Sequence, residues 1–147
     1  MKSKVVAALV SVPLLALSFA AFAQSPVGTW VTIDDTTKKP KSIVEISEAG
    51  GKLTGKVVKV LQSDSGPNPV CVKCTGANKG KPVEGMTIIT NVKKSGSAWD
   101  GGKILDPKTG KVYDVKMTPA ANGKTMQVRG FMGVSLLGRT QVWQRQN

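Results

Sequence analysis

The sequence predicts an all-β protein, a single antiparallel up-and-down barrel of about eight strands that follows an N-terminal signal peptide. Three observations carry this reading. After residue 23, short runs rich in Val, Ile and Thr alternate with clusters of Gly, Asn, Asp, Ser and Pro at roughly ten-residue spacing, the pattern of successive β-strands. The clusters Ala49-Gly50-Gly51, Lys94-Ser95-Gly96, Asp106-Pro107-Lys108-Thr109-Gly110 and Ala121-Asn122-Gly123 tolerate positive φ or pre-set a turn, so neighbouring strands pair as hairpins. A run of hairpin strands with one wet face has two open edges, and closure into a barrel hides them.

Residues 1–23 have the form of an export signal. Lys2 and Lys4 give a positive start, Val5 to Leu17 an apolar stretch broken by Pro13, and Ala21-Phe22-Ala23 a small-x-small cleavage site, so the mature chain is expected to begin at Gln24. The apolar stretch is too short to span a bilayer, and no later run matches it, so the protein is not expected to be membrane-spanning. No cysteine follows the cleavage site and no twin arginine precedes the stretch, which argues against a lipid anchor and favours export as an unfolded chain to the periplasm or beyond.

Residues 24–147 are one domain's length. The strands are expected at Gly28–Ile33, Ser42–Ser47, Leu53–Leu61, Met86–Val92, Ala98–Leu105, Lys111–Met117, Thr125–Phe131 and Arg139–Gln144. From Lys111 to Met117 the alternation is clean, with Tyr113, Val115 and Met117 on one face. From Leu53 to Leu61 it slips, because Val60 is out of step with Leu53, Gly55 and Val57. A bulge near Val57-Val58 restores the step. Residues 62–85 interrupt the rhythm with a 24-residue connection that holds Pro67, Pro69, Pro82, four glycines and both cysteines. Loops that long in compact domains are usually lids, binding loops or disordered segments, which makes this one the first place to look for function.

Composition removes several functions. The chain carries 21 basic and nine acidic residues and no histidine. The missing imidazole takes away the commonest general base, nucleophile activator and metal ligand, so hydrolytic chemistry would rest on carboxylates or lysine. Two of the cations lie in the signal, which leaves the mature chain at +10. That charge is mostly scattered lysine rather than arginine clustered with aromatics, which argues against nucleic acid and fits a solvated surface or attraction to an anionic envelope surface.

The order and spacing of several motifs are more specific. Gly28-Thr29-Trp30 opens the first strand and Cys71-Val72-Lys73-Cys74 sits in the long loop. Trp99-Asp100-Gly101-Gly102-Lys103-Ile104 with Asp106-Pro107, Gly110-Lys111-Val112-Tyr113 and Gly138-Arg139-Thr140-Gln141-Val142-Trp143-Gln144-Arg145 follow. Together they resemble, over essentially the whole mature chain, the exported bacterial family catalogued as domain of unknown function 2147. The resemblance implies a small secreted domain with a lipocalin-like barrel and brings no reaction or ligand with it. Gly28-x-Trp30 is also similar to the opening signature of true lipocalins, in which a late basic residue packs across the tryptophan at the closed end. The late basic residues here are Arg139 and Arg145. The chain departs from true lipocalins in its shortness and in its long cysteine-bearing loop.

Cys71 and Cys74, two residues apart in an oxidising compartment, are expected to form a structural disulfide that stiffens the long loop. Thiol exchange and a metal site shared between two chains are the alternatives, the second needing ligands that one chain lacks. The aromatics Trp30, Trp99, Tyr113, Phe131 and Trp143 are expected to fill the core, with a cation over Trp30 or Trp143. If the barrel leaves space, Trp99 and Tyr113 with Met117 and Met126 are expected to line an apolar pocket. Gly130 to Gly138, uncharged and apolar with three glycines, covers a barrel end or meets a lipid or partner. Asp34 and Asp35 occupy a turn and make no catalytic pair. These features point to a non-enzymatic binding protein for a small apolar or amphiphilic molecule, with no cofactor and no metal. The other reading is an envelope protein whose lysines attract anionic lipid or polysaccharide.

Overall fold

The computed structural model describes residues 3, 5–16, 24–133 and 137–147. Eight strands run in chain order: β1 (Gly28–Ile33), β2 (Pro40–Ala49), β3 (Lys52–Val60), β4 (Thr87–Ser95), β5 (Ala98–Leu105), β6 (Val112–Pro119), β7 (Thr125–Phe131) and β8 (Gly138–Arg145). Each pairs antiparallel with the next, and β1 returns to β8 through Trp30 opposite Arg145 and Val31 opposite Gln144. The sheet is therefore a closed up-and-down barrel without a free edge, as the hairpin pattern predicts.

β1, β5 and β7 keep the predicted bounds, while β2, β4 and β8 are longer than the hydrophobic pattern alone indicates. Pairing continues into the tight turns, so that Ala49 faces Lys52 across Gly50-Gly51 and Ser95 faces Ala98 across Gly96-Ser97. Leu61, Met86 and Lys111, expected in strands, lie just outside them. The expected bulge is present. Ile43 pairs with Lys59 but Val44 with Val57, so Val58 is the extra residue. Beyond it Val60 is turned back toward the interior, packed against the core.

Antiparallel connectivity sorts the connections to the two ends. The turns 50–51, 96–97 and 120–124 lie at one end together with the entry to β1. The connections 34–39, 61–86 and 106–111, with the end of β7 and the start of β8, lie at the other, hereafter the mouth. The end away from the mouth is packed with side chains. Trp30, Ile46, Leu53, Val92, Met117 and Met126 are all essentially inaccessible to solvent there. Trp30 donates from Nε1 to the Pro26 carbonyl oxygen at 2.8 Å, and the Arg145 guanidinium lies 4.3 Å from its ring centroid. Arg145 thereby takes the place of the late basic residue over the first tryptophan. Arg139 does not, since its Nε is 2.9 Å from Asp35 Oδ2 at the mouth.

Within the N-terminal segment, Val5, Leu9 and Leu14 are exposed, at 90%, 96% and 96%. The predicted cleavage motif Ala21-Phe22-Ala23 lies outside the described residues, as do residues 134–136 of the apolar 130–138 stretch. Among the described residues no helix is long and apolar enough to cross a membrane.

Candidate functional site

The mouth is built by the connection the sequence singles out. Residues 62–85 fold over the barrel as an ordered structure with its own backbone bonds. Cys71 N donates to the Lys81 carbonyl at 2.8 Å, Gly80 N to Cys71 at 2.8 Å and Val83 N to Pro69 at 2.9 Å. Gly85 N and the Met86 carbonyl bond the loop's end to Val57 of β3. Cys71 and Cys74 form a disulfide, and both residues are buried. Attack on such a bond by an outside thiolate requires the loop to open first.

The disulfide turn rests on the β5–β6 hairpin. Cys71 Sγ lies 3.2 Å from the Pro107 carbonyl oxygen, and since an oxidised sulfur carries no proton this is a packing contact rather than a hydrogen bond. Gly110 has φ +71, and a Cβ there would collide with the Lys73 carbonyl. Only glycine combines that conformation with that approach. The hairpin turn is held from within by Asp106, which accepts from Lys108 N at 2.9 Å and Thr109 Oγ1 at 3.0 Å.

Beneath this cover lie two adjoining lobes of a cavity, about 180 Å³ and about 260 Å³, which share Lys41, Ser42, Ile88, Asp106 and Pro107 in their walls. The smaller lobe sits under the long loop, against Val57, Val60, Val70, Val72 and Val83. The larger extends along β5 to β8, with Ile104, Tyr113, Val128 and Gly130 as walls and Trp143, the deepest of its lining residues along the strands, as floor.

A chain of polar contacts climbs from that floor to the rim. Trp143 Nε1 donates to Gln141 Oε1 at 3.0 Å, and Gln141 Nε2 donates to Asp35 Oδ2 at 3.1 Å. The same carboxylate oxygen takes the Arg139 ion pair. On the neighbouring strands β1 and β2 the Thr32 and Ser42 hydroxyls are 2.7 Å apart, and Ser42 N donates to Thr32 Oγ1 at 3.1 Å. Asp34 accepts from Thr37 N at 2.7 Å and Thr36 N at 2.9 Å. Those amides, with Lys41 Nζ at 3.9 Å, hold its carboxyl below the ordinary value of 3.8 despite opposing desolvation. At the outer rim the hydrogen bond from Lys108 Nζ to Asp64, 3.0 Å long, pushes the lysine upward.

Of the four side chains expected to line a pocket, the structure brings only Tyr113 to the cavity. Trp99, Met117 and Met126 are instead buried in the packed end. Their place in the strands explains this. Trp99 is near the start of β5, Met117 opposite it near the end of β6, and Met126 near the start of β7, all far from the mouth. Thr32, Ser42, Ile88, Ile104, Gln141 and Trp143 line the cavity without having been singled out for it. Once the long loop marks the mouth, inward positions at the mouth ends of the strands are its walls, a count the sequence permits. Among the described residues no three acidic or cysteine side chains are grouped to hold a metal.

A barrel closed at one end by a tryptophan and an arginine, and open at the other under a loop, is the architecture of the lipocalin-like class. The chain belongs to the family described as uncharacterized protein conserved in bacteria, domain of unknown function 2147, whose model matches residues 28–145. Among solved structures it is similar to protein HP1028 from the human pathogen Helicobacter pylori, described as belonging to the lipocalin family. The TM-score is 0.73 and the sequence identity 20%, with 84% of each chain covered. At that identity the likeness concerns the fold. No curated protein sequence matches the chain.

Proposed function

We propose that the protein is an exported, non-enzymatic binding protein that holds a small apolar or amphiphilic molecule in the mouth of its barrel. The observation that carries this reading is the two-lobed cavity. Twelve of its lining residues are Val, Ile, Leu, Pro or Trp, set among polar and charged side chains in similar number, a lining that suits a molecule with both an apolar and a polar part. The lipocalin-like fold supports binding over catalysis, and the signal-like first 23 residues support export. Native mass spectrometry without detergent, on the chain beginning at Gln24 purified from its host's periplasm, tests it. The expected result is an extra mass that survives high salt and is lost in Trp143→Ala. A bare monomer under gentle conditions goes against it.

One feature favours a second reading, attraction to an anionic lipid or polysaccharide surface. Lys52 and Lys93 stand directly opposite each other across β3 and β4, a like-charge pair that a bound polyanion would relieve. Salt separates the readings, because retention on anionic vesicles falls steeply with ionic strength while an apolar ligand in the cavity stays bound.

A further inference from the structure

From the larger lobe we infer that the ligand is a small monocarboxylic acid, its carboxylate held at the rim between Arg139, Lys41 and Tyr113 and its apolar tail lying over Trp143. The inference rests on the binding reading above and narrows it to a chemical class. It follows from asking, of every polar group in that lobe, what it still has to offer.

Most acceptors at the rim already carry a bond from the protein. Asp35 Oδ2 already receives Gln141 and Arg139, and Gln141 Oε1 receives Trp143. Asp106 uses both carboxylate oxygens to cap its own turn. The donors are different. The Arg139 ion pair uses Nε, which leaves two Nη nitrogens, and Lys41 Nζ is 3.9 Å from its nearest carboxylate, beyond a hydrogen bond. The Tyr113 hydroxyl makes no hydrogen bond among the described residues. In the Thr32–Ser42 pair, whichever hydroxyl donates, the other keeps its proton. What the lobe can offer a ligand is therefore a set of donors, two of them cationic. A ligand that ends in an ammonium group leaves these donors unused and meets carboxylates that already carry protein bonds, an alcohol satisfies some of the donors, and a carboxylate satisfies them with charge-assisted bonds.

The tail follows from the walls and the volume. Below the rim the apolar part of the lining is Ile88, Ile104, Leu105, Val128, Gly130 and Trp143, with Gln141 and the Thr32–Ser42 pair beside it. A cavity of about 150 Å³ accepts benzene, with six heavy atoms, so one of about 260 Å³ accepts about ten, the size of octanoate. Octanoate is thus the probe to use.

The test compares octanoate, octanol and octylamine, which share a tail and differ in head group, by calorimetric titration of the chain beginning at Gln24 at pH 7. Trp143 fluorescence serves as a second readout, in a variant whose other tryptophans are Phe if that variant folds. Octanoate is expected to bind at least about tenfold more tightly than octanol, and octylamine most weakly. Arg139→Gln and Tyr113→Phe are expected to weaken octanoate binding more than octanol binding and so to reduce the octanoate-to-octanol ratio, with circular dichroism melts showing that both variants fold. Equal affinity for the three heads, or a ratio untouched in both variants, overturns the carboxylate inference and leaves the binding reading standing. Failure of all three probes to bind removes the pocket reading and this inference with it.

Discussion

Arg145 and Trp30, opposite each other where β8 meets β1, lock the barrel at its packed end. The guanidinium sits 4.3 Å from the ring centroid while its nitrogens donate to three carbonyls, Nε to Gly123 at 2.6 Å, Nη1 to Val27 and Nη2 to Ser25 at 2.9 Å each. One side chain thus ties the closing seam to the β6–β7 turn and to the strap before β1. Gly28, with φ +136, leaves room for it, since a Cβ there would meet Nη1.

That convergence makes Arg145 a stability residue. Arg145→Ala is expected to cost about 3 kcal/mol in urea unfolding, from a cation–π contact of roughly 0.5–2 kcal/mol and charge-assisted bonds that are partly solvent-screened. Arg145→Lys keeps the charge but has no fork to reach three carbonyls, so it is expected to recover less than half of the loss. An Arg145→Ala loss below about 0.5 kcal/mol would contradict the lock.

The disulfide is expected to have a local effect. Four residues lie in the closed loop, so chain entropy assigns it only about 2 kcal/mol, less than a long-range bridge. Because Cys71 anchors the loop through Lys81, Gly80 and the contact with Pro107, and the bridge ties Cys74 to it, reduction is expected to raise amide exchange from Pro69 to Val83. Strands β5 to β8 are expected to keep their protection. Exchange mass spectrometry on oxidised and reduced protein reads this directly, and uniform loss of protection around the barrel would refute it.

Two glycines in the same conformation separate backbone strain from collision. Gly96, φ +62, has open space where a Cβ would go, whereas the Cβ at Gly110, φ +71, meets the Lys73 carbonyl. Gly96→Ala is expected to lose about 1 kcal/mol, the cost of a left-handed non-glycine residue. Gly110→Ala is expected to lose at least about 2 kcal/mol more, because the disulfide turn must lift off the hairpin. Equal thermal melts of the two variants would show that the turn does not press on Gly110.

The Asp34 carboxyl is expected to titrate below the ordinary aspartate value of 3.8, chiefly through the Thr37 amide. Its folded-state pKa is depressed, so the stability it contributes is present above the unfolded-state pKa and disappears as pH falls through the folded one. Carboxyl-carbon NMR across pH 2 to 6 measures it, and a midpoint at or above the ordinary value would contradict the assigned hydrogen bonds.

Why the fold was legible while most of the cavity was not follows from where each kind of information resides. Turn glycines and the Val57-Val58 slip act within a few residues, so strands, hairpins and the bulge can be read locally. The Trp30 partner could be narrowed to Arg139 or Arg145, but the register across the closing seam decides between them, and that register is set by all eight strands together. Trp99, Met117 and Met126 look like pocket residues because aromatic rings and thioethers suit both cores and cavities. Only their depth along the barrel assigns them to the core. The polar chain from Trp143 through Gln141 to Asp35 joins residues 106 positions apart at its last step, and nothing local announces it.

Depth along the barrel is therefore the distinction most worth testing, with Met117 and Tyr113 as the pair, since both project inward from β6. Met117 is fully buried opposite Trp99 and Val128, so Met117→Ala leaves a void that its neighbours cannot fill, with an expected loss of about 2–5 kcal/mol. Tyr113 is half-buried in the wall of the open lobe and its hydroxyl has no partner among the described residues, so Tyr113→Phe is expected to change stability by less than about 0.5 kcal/mol. Urea unfolding of the two variants gives the comparison. If Tyr113→Phe instead costs as much as Met117→Ala, the lobe is closed and packed in solution, and the interior has no room for a guest at its mouth.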